Sequence, residues 1–161
     1  MTRTNDNRQE HEGNDKMYQD ILLPTDGSDG VERIAEHAGS LARQYDATVH
    51  VLSVADTRNR FEGPSMGVGA AAWEDAERER AREAVEEAIA TLPEDVSADG
   101  AVESGVPHAA ILEYVEETGI DVVVMGTHGR TGIDHYLIGS VAERVVRQSP
   151  APVLTVRIGD A

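Results

Sequence analysis

The run DVVVMG, Asp121 to Gly126, constrains the fold more than any other stretch of the chain. Its apolar residues are consecutive instead of alternating, the pattern of a strand covered on both faces. Such a strand belongs in a parallel sheet sandwiched between helices. Four other segments fit the same sheet: DILLPTD (Asp20–Asp26), ATVHVLSV (Ala47–Val54), the weaker ADGAVES before Gly105, and PVLTVRI near the end. Between them the apolar period lengthens to that of a helix. Val31, Ile34, Ala35, Ala38, Leu41 and Ala42 form one stripe, behind Asp29 and Glu32 as a cap and its third-position acid. Ala81, Ala84, Val85, Ala88, Ile89 and Leu92 form a second, which Pro93 stops. A third helix opens at Pro107 and runs through Ile111, Leu112 and Val115 to a Gly119 cap. A fourth covers Ser140 to Gln148. Strands alternating with helices predict an α/β fold: a single open five-stranded parallel sheet with helices on both faces. The stretch ADTRNRFEGPSMGVGA has no period and reads as a mobile loop.

At 161 residues the chain is long enough for one domain with a real core. Residues 1–16 are polar throughout, which predicts a disordered tail ahead of a domain over 17–159. That tail lacks the apolar centre of a signal peptide, and no stretch is long and apolar enough to span a bilayer. The expectation is a cytoplasmic protein. With no cysteine, disulfides, thiolate zinc sites and cysteine nucleophiles are excluded. Thirty acidic residues against fourteen basic ones give a net charge of −16, which repels nucleic acid and anionic membranes. A salt-rich cytoplasm would screen that self-repulsion, so the composition reads as halophilic; the plainer alternative is an acidic protein short of lysine.

In open α/β sheets ligands bind beyond the carboxyl ends of strands, where the strand order reverses. Two such ends carry unusual sequence: PTDGSDG after the first strand and GTHGRTG after the fourth. In the order 3-2-1-4-5 they are neighbours. Four glycines lie between 126 and 139, ahead of a helix whose Ser140 and Glu143 fit a capping box. Glycines can present consecutive N–H groups to an anion and take positive φ, and a helix N-terminus attracts phosphate. Plain turn-making and plain capping are the alternatives. No lysine lies near these glycines, which excludes an ordinary P-loop. GVGAAA (Gly67–Ala72) matches a dinucleotide fingerprint in letters but follows no strand, so it is a chance match.

These residues resemble the nucleotide-binding subgroup of the universal stress protein (UspA-like) family, whose members carry G-x2-G-x9-G-[ST]. Gly126, Gly129, Gly139 and Ser140 fall on that spacing without departure. ILLPTDGS resembles the family's first strand and PAPVLTVR its last, so the likeness covers about Tyr18 to Ile158. It implies the order 3-2-1-4-5, a Rossmann-like fold of the adenine nucleotide alpha hydrolase kind, ATP as ligand, and a homodimer. It also implies site residues. Asp26 would contact the ribose or adenine end, beside Pro24 and Thr25, and Val51 would pack near adenine. Gly126, His128 and Gly129 would line the phosphate loop, with Gly139, Ser140 and Val141 at the helix start. Magnesium would accompany the phosphates.

Other roles compete for some of these residues. Asp26 could cap the turn into the first helix. Trp73, the sole tryptophan, reads as an anchor for the loop-to-helix junction. His128 and His135 lack further ligands for zinc. The final strand is a sheet edge bearing Val153, Leu154, Val156 and Ile158; pairing with a second subunit would satisfy it. Three functions follow: an ATP-binding dimeric regulatory module, a slow ATP-hydrolysing enzyme, or a nucleotide-free dimer scaffold. No catalytic residue is assigned, and neither a protein partner nor a particular stress is identified by the sequence.

Overall fold

The computed structural model describes residues 16–58, 69–128 and 138–158. In chain order the elements are β1 (Asp20–Pro24), α1 (Val31–Tyr45), β2 (Thr48–Asp56), α2 (Ala70–Thr91), β3 (Ser97–Gly105), α3 (Pro107–Thr118), β4 (Val122–Gly126), α4 (Ser140–Gln148) and β5 (Val153–Val156). The five strands form one parallel sheet in the order β3-β2-β1-β4-β5, as expected.

Alternation along each buried strand divides the core into two layers. Ile21, Leu23, Val49, Val51, Val122 and Val124 point to the face covered by α1 and α2. Leu22, Leu52, Val123 and Met125 point to the other face, against Ile111 and Val115 of α3 and Val145 of α4. Both layers are filled by side chains with almost no exposure. The consecutive apolar run of β4 is explained: each face of that strand has its own core.

Several boundaries differ from the sequence reading. β1 is not among them: its apolar run stops at Pro24 as expected, and Thr25 donates its N–H to the Leu52 carbonyl at 2.8 Å. β2 and β3 run longer than expected, pairing from Thr48–Ser97 to Asp56–Gly105. β3 was weak in sequence because it is an edge strand with a largely exposed pattern. Its Gly100 lets α2 settle, since a Cβ there would stand 2.7 Å from Val85 Cγ1. The N-cap of α1 is Gly30, at φ 91°, with no side-chain cap; Asp29 does not fill that role. Gly119 caps α3 in the left-handed conformation, and Pro107 occupies its first turn.

Candidate functional site

The sheet order reverses between β1 and β4, and the segments that leave these two strands meet there. After β1, the chain turns through Thr25 and Asp26. Asp26 Oδ1 accepts the Ser28 N–H at 2.9 Å, and Gly27 takes φ 74°, which an L side chain resists. After β4, Thr127 donates its N–H to Val156 of the neighbouring strand at 3.0 Å. Its carbonyl then accepts the Gly139 N–H at 2.5 Å. That clasp brings the end of β4 against the start of α4, although eleven residues separate Thr127 from Gly139 in sequence.

A cavity of about 880 Å³ opens between these segments. Pro24, Thr25 and Asp26 line it from β1, and Gly126, Thr127 and His128 from β4. Gly139, Ser140 and Val141 line it from α4. The expected capping box is not formed: Gly139 is the N-cap, Ser140 is the first helical residue, and no side chain caps the helix. The Glu143 N–H instead bonds the Gly139 carbonyl at 2.9 Å, as an ordinary helical bond, and its carboxylate pairs with Arg147 at 2.7 Å. The first turn of α4 therefore borders the cavity with no side chain hydrogen-bonded to its N-terminus, where positive dipole charge collects, although Ser140 and Glu143 also line the cavity.

His128 is held through Nδ1, 2.9 Å from Thr127 Oγ1, while its Nε2 is buried without a hydrogen-bond partner. An orphaned buried nitrogen is costly, and it is satisfied if a ligand oxygen reaches it. Gly126 has a different reason to be glycine from the one anticipated. Its φ is not positive, and a Cβ would stand 2.5 Å from Ile158 Cδ1 and 2.9 Å from Ile34 Cδ1. Packing from beneath demands it. Gly129 and His135 lie outside the described residues.

Val51 is displaced from its expected role. Its side chain is fully buried against the α1–α2 face, and the β2 wall of the cavity is built by Leu52, Val54 and Asp56. Those residues alternate at strand period on the opposite side of β2, so the face was readable but assigned to the wrong parity. A second wall, from α2, escaped the sequence reading. Trp73, Glu77 and Arg80 all line the cavity, at the i, i+4, i+7 spacing of one helix face. Trp73 is thus not simply a junction anchor.

Charge on this side is internally matched. Arg58 grips Asp56 through Nε and Nη2, the shortest contact being 2.6 Å. This hydrogen bonding holds the guanidinium protonated above its ordinary range. Arg80 pairs with Glu77 at 3.2 Å. Leu52, Val54, Ile111 and Met125 give the cavity an apolar lining. It thus combines a helix N-terminus and main-chain turns at one side with apolar and aromatic surface at another, the division a nucleotide requires. Among the described residues no group of three or more carboxylate or imidazole side chains could hold a metal ion.

The model of the universal stress protein family matches residues 17–157. The chain belongs to the universal stress protein family. The universal stress protein MJ0531 of Methanocaldococcus jannaschii is 36% identical over 148 residues, covering 89% of this chain and 84% of that protein. The solved structure of MJ0577, from the same organism, superposes with a TM-score of 0.78 at 29% identity, covering 90% of this chain and 99% of that one. A crystal structure of a universal stress protein in complex with cAMP is similar at a TM-score of 0.59 and 28% identity, covering 87% of this chain and 96% of that one. The clasped β4–α4 segment of the present chain thus sits within a universal stress protein fold, and some family members bind adenine nucleotides. Among the described residues no helix is long and apolar enough to cross a membrane.

Proposed function

We propose that the chain binds ATP in this cavity and acts as a dimeric regulatory module in a stress response. The observation that carries the reading is the clasp between Thr127 and Gly139, which delivers an uncapped helix N-terminus to a cavity at the strand-order reversal. The cAMP complex of a relative supports an adenine ligand. Magnesium enters as a companion of the phosphates, since the described side chains form no metal cluster of their own.

Regulation is favoured over rapid hydrolysis by the charges around the cavity. Phosphoryl transfer needs cations free to follow the developing charge. Among the described lining residues the arginines are Arg58 and Arg80, and each is paired with an acid. The dimer is assigned to β5, whose Leu154 is 40% exposed. The opposite edge, β3, carries exposed Asp99 and Glu103, charges that discourage pairing there. The net charge of −16 suits a salt-rich cytoplasm. Incubating the purified protein with ATP and magnesium and following free phosphate tests the regulatory reading. Bound ATP recovered intact over many hours supports it; multiple turnovers per minute would replace it with an enzyme.

A further inference from the structure

We propose that Trp73 is the platform on which the nucleotide's base stacks, so that the ligand lies with its phosphates toward α4 and a purine toward α2. The inference rests on the nucleotide reading above and names the residue that recognises the base. Trp73 lines the cavity yet belongs to neither hydrophobic core and packs against neither. The core stripe of α2 is Ala81, Ala84, Val85 and Ala88; Trp73 shares its own face with Glu77 and Arg80. A half-buried indole outside the core, lining a cavity, is a large apolar surface, and among the described residues no aromatic ring is paired with it.

The direction of the ligand follows from the fold. α4 packs on α3 and β5, whereas α2 packs on β2 and β3, so the two helices approach the cavity from different ends of the sheet. Phosphates held at the first turn of α4 leave the base to extend toward β2 and α2. The charges there suit an uncharged ring better than a further anion. Arg58 is neutralised by Asp56 and Arg80 by Glu77, so the two pairs sum to no net charge. Leu52 and Val54 supply the apolar surroundings. A purine offers more stacking area than a pyrimidine and is the better fit to an indole face.

The test compares ATP with inorganic tripolyphosphate on the full chain and on Trp73→Leu and Trp73→Phe. Trp73→Leu is expected to weaken ATP roughly 10-fold, the scale of one base–aromatic stack, with Trp73→Phe within roughly threefold of wild type. Tripolyphosphate affinity should be unchanged in both, which also reports that the variants fold. In the wild type, fluorescence of the single tryptophan should change on adding ATP, with the midpoint found by dialysis, and not on adding tripolyphosphate. A Trp73→Leu protein that binds ATP as tightly as wild type overturns the proposal. So does an equal loss of both ligands, which would mark Trp73 as structural. A wild type that binds ATP no better than tripolyphosphate removes the base platform and leaves the phosphate site standing. Binding of neither removes both.

Discussion

Ile158 lies directly beneath Gly126, its Cδ1 atom 2.5 Å from where a β-carbon on that glycine would stand. The same side chain fills the space under Gly30, at the head of α1. Ile158, two residues beyond β5, therefore ties together the two segments that frame the cavity, and the absence of a side chain at Gly126 is what admits it. Gly126→Ala should cost about 1–3 kcal/mol through overpacking. In an Ile158→Ala background the same substitution should cost at least ~1 kcal/mol less, because the methyl then has room. Urea unfolding of the four proteins measures this; additive effects would show that the contact is not the cause.

Gly139 presents the opposite case. Its φ of −62° and ψ of 154° are extended backbone that valine adopts readily. Gly139→Val should leave the chain folded at a cost of about 1 kcal/mol, the penalty of a poor N-cap residue at the head of α4. It should weaken ATP binding at least ~100-fold, since its side chain displaces phosphate from two or more charged hydrogen bonds worth ~1.5–3 kcal/mol each. Thermal unfolding with calorimetric titration checks both halves. A stable variant with undiminished affinity would move the phosphate elsewhere.

The β5 edge calls for a narrower test than its sequence invites. Val156 is 5% exposed and part of the core, so a charge there would unfold the chain. Leu154 is the exposed member. Leu154→Asp should give a folded monomer, seen by light scattering across a concentration series. A dimer of unchanged strength would place the interface on another surface.

Tyr114 predicts an alkaline dependence of stability. Burial raises its pKa above the ordinary 10.0, a hydrogen bond with Thr118 opposes that, and the carboxylates of Asp99, Glu103 and Asp20 add to the rise. Its hydroxyl lies 3.1 Å from His50 Nδ1. The folded state holds the phenol proton to higher pH than the unfolded state does. This contribution is therefore complete below pH 10.0 and is lost as pH rises from there through the folded value. Tyr114→Phe should show a shallower alkaline decline than wild type in urea unfolding at a series of pH values. Identical slopes would assign the decline to other groups.

Local pattern carried most of the architecture. DVVVMG marked a strand buried on both faces, and the end of α3 was legible because Gly119 is where a left-handed residue is needed. β3 was faint because an exposed edge strand has no apolar face to display, and Gly100 hides the packing of Val85 upon it. Both glycine-flanked ends of the site were visible; their clasp was not, because a hydrogen bond between Thr127 and Gly139 depends on the path of the chain between them. The α2 wall was missed for a different reason. Trp73, Glu77 and Arg80 have helical spacing, but mixed chemistry on one face reads as solvated surface until the cavity beside it is seen.

Equilibrium dialysis of ATP against the full chain in multimolar KCl, with and without magnesium, tests the central claim most directly. Saturable binding near one ATP per chain, lost in Gly139→Val, is the predicted result. A folded wild-type protein that retains no ATP under the same conditions would contradict it and leave the glycines as turn-makers in a nucleotide-free scaffold.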